Sequence, residues 1–372
     1  MKLPTGKMLL GLSLPLAAGL GYILYPRKRK ALPENSIALD LNVPVADFFI
    51  DEENFADQME HTVMPYLEER KQAGFLESGS AKLYYECYRA ENSKGHVVII
   101  HGFTSGVHEY REIAYYFLKN GYSVDMMDHR GHGFSSREVE DLCKVTVSSF
   151  DVYVEDLKAF LNTVVKPSLT EGEKLFAFAH SMGGGVTELL LEREPETFAA
   201  AVLTGPMVQI EFGKIPIKLA DAIVKLAKQV GSAQEYILGY GAYDGVYDFE
   251  GSNYDSEPRY RYMYDLLEKE PRYRTNGGTY AWLAAAMTAS DEIRSNARNY
   301  VTPTLLFQPQ KDTMASASAQ NEFVKNASNI TLVTVDGAKH NLPFAGSGVL
   351  SPFFCKVLDF FNGFQENSPE QS

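Results

Sequence analysis

The residues of this chain that could do chemistry converge on one serine. Ala179-His180-Ser181-Met182-Gly183-Gly184 lies between a short apolar run, Leu175–His180 (LFAFAH), and a helical pattern over Met182–Glu192. A serine on a sharp strand-to-helix turn is pushed out at the top of a sheet, where its hydroxyl can attack a bound ester. Such a turn needs small neighbours, because the backbone is strained and strand and helix approach closely. The usual pattern is G-x-S-x-G. Here Ala179 stands at its first position, and alanine is the next smallest residue. A serine hydroxyl is a poor nucleophile until a base takes its proton, and the base needs an acid to orient it. His340 is the last of eight histidines and the only one after His180, which makes it the candidate base. Asp312, just beyond the apolar run Thr304–Gln308, is the candidate acid. Its rival is Asp336, which sits four residues before the histidine on the same loop and is awkwardly placed for side-on support.

The tetrahedral intermediate of acyl transfer carries an oxyanion that must meet preorganised backbone donors. The amides of Met182, following the serine, and of Phe103, in the turn HGFTSG at 101–106, are the candidates. His101 reads as a structural histidine closing that turn, and His129 and His132 in DHRGHG (128–133) as loop architecture. No H-E-x-x-H and no clustered set of carboxylates and histidines occurs, and the three cysteines, Cys87, Cys143 and Cys355, form no C-x-x-C pair. No metal, cofactor or disulfide framework is therefore assigned.

Short apolar runs alternating with amphipathic stretches must position these residues. Strands are expected at Ala81–Ala90, His96–His101, Ser123–Asp128, Leu175–His180, Ala199–Thr204, Thr304–Gln308 and Ile330–Val335. Helices are expected around Asp51–Lys71 and over Glu109–Asn120, Phe150–Val165, Met182–Glu192 and Pro352–Phe361. Strands separated by single helices imply a mostly parallel sheet with helices on both faces, and ligand sites beyond the C-terminal strand edges. Ser181, Asp312 and His340 all fall at such edges. Between Pro206 and Tyr300 nearly a hundred residues intervene before the next strand, with an amphipathic helix over Lys214–Val230 and a Tyr- and Arg-rich stretch from Tyr254 to Trp282. A structureless loop of that length is improbable, so 207–300 reads as a helical cap inserted into the sheet domain.

At 372 residues, with 45% apolar and 22% charged residues, the chain can bury an ordinary core. A formal net charge of −13 argues against a general nucleic-acid binder, which needs a basic face. Met8–Tyr25 is 18 residues without a charge, preceded by Lys2 and Lys7 and followed by Arg27–Lys30. As a helix it would span roughly 27 Å, just short of a bilayer core. An uncleaved membrane anchor is the preferred reading over a signal peptide cut near Ala17-Ala18-Gly19, because the apolar run continues past that point into a basic cluster. The organisation expected is an anchor or signal segment (1–30), an extension (31–73), a sheet core (74–206 and 301–364), the cap (207–300) and a polar tail (365–372).

HGFTSG, DHRGHGFSS, AHSMGGG, Lys311-Asp312 and GAKHNLPF stand in the order found in α/β-hydrolases. The chain resembles the monoacylglycerol lipase and lysophospholipase branch, which typically has HG, D-x-R-G-x-G-x-S and H-S-M-G-G. Leu203–Met207, Arg259-Tyr260-Arg261-Tyr262 and Gly277–Trp282 are similar to the cap region of bacterial inner-membrane lysophospholipases. The resemblance covers about Gly74 to Gly363. It implies an α/β-hydrolase fold with Ser181, Asp312 and His340 as triad and Phe103 and Met182 as oxyanion donors. It also implies hydrolysis of the acyl ester of single-chain lipids, lysophospholipids first, with monoacylglycerols, other esters or transacylation as alternatives. A bacterial inner-membrane location follows from the same resemblance, a secreted or periplasmic one from signal cleavage. A non-catalytic scaffold is disfavoured, since serine, acid and histidine are all present. In the cap, Arg259, Arg261, Arg272 and Arg274 are candidates for a head-group phosphate, which guanidinium suits, the alternative being salt bridges to nearby acids. Trp282 is a further candidate substrate contact, although it, Tyr260, Tyr262 and Tyr264 read rather as cap core.

Overall fold

The computed structural model describes residues 32–365. The apolar stretch Met8–Tyr25 lies outside them, and among the described residues no helix is long and apolar enough to cross a membrane. The centre is a nine-stranded sheet of β1 (Ser36–Ala38), β2 (Lys71–Ser78), β3 (Ala81–Tyr88), β4 (Gly95–Ile100), β5 (Ser123–Met127), β7 (Lys174–His180), β8 (Ala200–Thr204), β10 (Thr304–Pro309) and β11 (Ile330–Val335). Its spatial order is β1-β11-β10-β8-β7-β4-β5-β3-β2. All neighbours pair parallel except β3, which runs antiparallel to both β5 and β2. Two further strands, β6 (Lys144–Val145) and β9 (Gly277–Gly278), form a short parallel ribbon that ties the inserted segment to the core.

The inner strands form because they are continuous apolar runs, and a parallel sheet buries both faces. Val98 and Ile100 of β4 point into one apolar layer and Val97 and Ile99 into the other. The first layer is closed by α4 (Phe150–Phe160), α5 (Met182–Arg193), α8 (Tyr280–Asn296) and α9 (Ala317–Asn326). The second is closed by α3 (Arg111–Lys119) and α10 (Ser347–Asn362), and by α1 (Phe55–Gln58) and α2 (Met64–Glu68), which a π-helical turn at Met59–Val63 joins into one run.

The chain passes from β4 to β5 on one side and then returns to lay β7 on the other side of β4. That reversal is the switch point at which such sheets open a crevice. The turn after β4 holds Phe103 and the turn after β7 holds Ser181. Between β8 and β10 lies the cap, with α6 (Ile217–Gln229), α7 (Glu257–Lys269) and α8. Side-chain N-caps start two of these helices: Ser256 accepts from the Arg259 amide at α7, and Thr279 from the Trp282 amide at α8.

The segment read as an extension (31–73) reaches into the sheet. β1 pairs with β11 at one edge, and β2, which the sequence reading passed over, pairs with β3 at the other. The last helix begins at Ser347 rather than Pro352, because Glu52 from the same segment accepts the Ser347 amide at 2.7 Å.

Candidate active site

β7 ends at His180 and α5 begins at Met182, leaving Ser181 alone on the turn with φ 52° and ψ −116°. That conformation is costly for a residue with a Cβ, and the surroundings hold it. The Ser181 amide donates to the Thr204 carbonyl of β8 at 3.0 Å, and its carbonyl accepts from Met207 at 2.9 Å. The glycines that follow answer a packing demand. A Cβ on Gly183 would lie 2.2 Å from the Ile100 carbonyl oxygen, and one on Gly184 2.6 Å from Pro206 Cβ. Helix and sheet thus meet backbone to backbone, and Met182, as first residue of α5, offers an amide that no helical carbonyl can use.

His340 lies on the loop after β11 and Asp312 on the loop after β10. His340 Nε2 is 2.8 Å from Ser181 Oγ, and its Nδ1 is 2.8 Å from Asp312 Oδ2. The other oxygen, Asp312 Oδ1, accepts from the amides of Met314 at 2.7 Å and Ala315 at 3.0 Å. Burial opposes ionisation of Asp312. The His340 ring and the two amides overrule it and hold this carboxyl below the usual carboxylate range. With Asp312 ionised, Nδ1 carries the proton and donates to it, which leaves Nε2 free to accept from the serine. Asp336 is exposed, and the structure sets Asp312, not Asp336, against the imidazole.

Segment 252–255 of the cap holds the histidine loop from above. Asp255 accepts from the Lys339 amide at 2.7 Å, the Asn253 carbonyl from the Asn341 amide at 3.2 Å, and the Ser252 carbonyl from Lys339 Nζ at 3.1 Å. The sequence reading missed these residues, and no local pattern marks them.

Three neighbouring histidines are architectural. His101 donates from Nδ1 to the Gly102 carbonyl at 2.7 Å and accepts the His129 amide on Nε2 at 2.9 Å, so both ring nitrogens are used to brace the turn. Burial pushes His101 well below its ordinary value and His129 and His180 down to about 3, leaving all three neutral. Asp128 accepts the amides of Val107 and Phe134 at 2.8 and 2.9 Å, fixing the neighbouring loop on the same rim.

A cavity of about 240 Å³ opens over Ser181 and His340, between Phe103 and Thr104 on the core side and Tyr254, Tyr260, Met263 and Tyr264 on the cap side. Tyr260 and Tyr264, read as cap core, therefore face this space. The candidate phosphate contacts do not. Arg259 is buried, with Nη2 2.7 Å from Glu112 and Nη1 3.3 Å from Glu52. Arg261 turns outward over Tyr247 beside Glu257. Arg272 is held by Glu270 and lies over Phe134, and Arg274 donates to the carbonyls of Leu267 and Glu268 at the end of α7. Trp282 is also withdrawn: it is buried and packs at 4.1 Å against Phe103, bracing the turn that carries the second candidate amide. Among the described residues, no lysine or arginine lines the cavity. Among the described residues there is no group of three or more side chains that could hold a metal ion.

A doubly wound sheet with a cap, and a serine, histidine and carboxylate in one hydrogen-bonded line at its C-terminal rim, define a serine hydrolase of the α/β-hydrolase fold. The chain belongs to the serine aminopeptidase S33 family (Hydrolase_4), whose profile matches residues 91–345. It is similar to lysophospholipase L2 of Escherichia coli K12, with 29% identity over 309 residues that cover 81% of this chain and 89% of the relative. A monoacylglycerol lipase of Mycolicibacterium smegmatis is 29% identical over 158 residues, 42% of this chain and 53% of that one. Among solved structures, a soluble variant of monoglyceride lipase from Saccharomyces cerevisiae superposes with a TM-score of 0.63 at 19% identity, covering 79% of this chain and 96% of that one, which shows the shared fold.

Proposed function

We propose that the protein hydrolyses the acyl ester of single-chain lipids, lysophospholipids first, through Ser181, His340 and Asp312. The line of two 2.8 Å contacts from Ser181 Oγ through His340 to Asp312 carries the chemistry. The similarity to a lysophospholipase over most of both chains supports the substrate. Ser181 Oγ attacks the ester carbonyl as His340 Nε2 takes its proton. The amides of Met182 and Phe103 hold the oxyanion, and Asp312 stabilises the imidazolium. His340 returns the proton to the leaving glycerol oxygen, giving an acyl-serine. Water, deprotonated by the same nitrogen, then releases the fatty acid and restores the serine.

One observation favours a second reading, a monoacylglycerol as substrate. A glycerophosphate entering this cavity would lose water without meeting a cationic side chain, whereas an uncharged glycerol would lose nothing comparable. Fatty-acid release from lysophosphatidylcholine and from monoacylglycerol in parallel, with Ser181→Ala as blank, separates the two. Turnover of the lysophospholipid that is absent from the variant supports the first reading; turnover of the neutral lipid alone replaces it with the second. The uncharged run Met8–Tyr25, with lysines before it and arginines and lysines after it, supports an uncleaved anchor in a bacterial inner membrane. Partition of the full chain between the membrane and soluble fractions of a bacterial lysate tests that placement.

A further inference from the structure

The catalytic line leaves one acid of its own cavity unused. Glu109 follows the HGFTSG turn, is partly exposed to the cavity and, among the described residues, is the one acid on its wall. Both carboxyl oxygens accept a hydroxyl, Oε2 from Ser105 and Oε1 from Tyr254. Neither donor carries a charge, and the nearby cations are committed elsewhere: Arg259 pairs with Glu112 and Glu52, and Arg111 with Glu86. His108, beside it in the chain, is neutral, because burial pushes its ring down to about 3. Burial raises the Glu109 carboxyl, and the two hydroxyls oppose that only in part. A carboxylate so placed lacks a countercharge, and a cation entering the cavity would supply it.

The wall around Glu109 suits a particular cation. Tyr243, Tyr254, Tyr260, Tyr264 and Phe344 line the same cavity. The tyrosine hydroxyls are already engaged: Tyr254 with Glu109, Tyr243 with Glu268, Tyr264 with the Gly245 carbonyl and Tyr260 with the Asp248 amide. What these residues offer a ligand is ring surface, whose quadrupole attracts an alkylammonium. The position is on the leaving-group side. His340 returns the proton to the departing oxygen, and beyond it Asn341 and Phe344 continue along the cavity. Phe344 stacks at 5.7 Å on Tyr254, which reaches Glu109. Building on the lysophospholipid reading, we propose that Glu109 and these rings form a site for the ammonium of the head group, so that the cavity takes zwitterionic lysolipids and turns away anionic ones. A phosphate without an ammonium would meet Glu109 only as a like charge. The countercharge that the cavity lacks is thus brought by the substrate.

Glu109→Gln keeps the shape of the side chain and an acceptor for a hydroxyl but removes the charge. In the full chain, hydrolysis of p-nitrophenyl butyrate is inhibited with decyltrimethylammonium and with decyl glyceryl ether, an uncharged compound of equal chain length, both below their micelle concentrations. We expect the wild type to bind the cation about tenfold more tightly than the ether, and Glu109→Gln to bring that ratio to about one. Glu109→Asp, which keeps the charge, should retain part of the preference. Equal inhibition constants in the wild type, a result that needs no variant to fold, would overturn the proposal, and so would an undiminished preference in Glu109→Gln. A second arm compares kcat/KM for lysophosphatidylcholine and lysophosphatidylglycerol, each dilute in micelles of an uncharged detergent. A wild-type preference for the choline lipid that Glu109→Gln abolishes supports the assignment to the head group, and a preference for the glycerol lipid refutes it. Turnover of neither lysolipid, with the inhibitor preference present and lost in Glu109→Gln, would remove the lysophospholipid reading and leave the ammonium site standing.

Discussion

Asp312→Asn is the sharpest test of the catalytic line, because the structure dictates how the new side chain must sit. Asp312 Oδ1 is held by two backbone donors, the amides of Met314 and Ala315. Only an oxygen can occupy that position, so the amide nitrogen of asparagine is forced to the place of Oδ2, facing His340 Nδ1. There it donates a proton where the carboxylate accepted one. His340 must then keep its own proton on Nε2, pointing at Ser181 Oγ, and it can no longer act as base. The expected loss in kcat is about 10⁴-fold, or roughly 5 kcal/mol of transition-state stabilisation. Stability should change little, since both backbone hydrogen bonds survive and no volume is lost. The assay is turnover of p-nitrophenyl butyrate beside chemical denaturation, with Asp336→Asn as comparison. A variant that keeps more than about a tenth of wild-type kcat, or an equal loss in Asp336→Asn, would refute the assignment of the acid.

Gly183→Ala must push α5 away from β4, because its Cβ would approach the Ile100 carbonyl oxygen to 2.2 Å. A displaced serine should lower kcat by about 10²-fold or more while far-UV circular dichroism stays native. Arg259→Met leaves Glu112 buried and uncompensated and should cost about 3–5 kcal/mol in urea unfolding; adding Glu112→Gln, which still accepts from Tyr116, should recover most of it. Burial, seconded by Glu292, pushes the Glu192 carboxyl up to about 8. Wild-type stability should accordingly fall as pH climbs from the ordinary carboxylate value through about 8. Glu192→Gln should make that slope shallower, matching wild type near pH 4 and gaining about 2 kcal/mol near pH 9 once solvent screening is allowed for. Parallel unfolding curves for the two proteins across that range would contradict the buried-acid assignment.

What was legible in the sequence follows from where the information resides. The inner strands β4, β5, β7, β8, β10 and β11 are buried on both faces and read as apolar runs, so composition alone located them. β1 is three residues long, and β2 (KQAGFLES) is an edge strand whose only buried side chain is Leu76, so neither carries a pattern that stands out from a loop. The start of α10 depends on an acceptor 295 residues away, Glu52, and no window of local sequence could contain it. The small-residue turn between strand and helix singled out Ser181, and chain order His340 and Asp312. The choice of Asp312 over Asp336 is a matter of side-chain direction, which the structure supplies and spacing can only suggest.

The cap arginines show the limit of reasoning from residue type. Arginine at Arg259, Arg272 and Arg274 is compatible with phosphate recognition, yet each finds a nearer acceptor within the protein. Arg259 joins α7 to Glu112 of α3 and to Glu52, so it fixes the helix whose other residues, Tyr260, Met263 and Tyr264, form the roof over Ser181. Arg274 satisfies two orphan carbonyls at the C-terminal end of that helix, where a cation is also favoured by the helix dipole. Arg272 closes on Glu270 and Phe134. Their shared effect is to hold the roof and, through segment 252–255, the loop of His340. A buried cation serves this better than a surface one, since leaving Glu112 unpaired costs more than any exposed salt bridge returns.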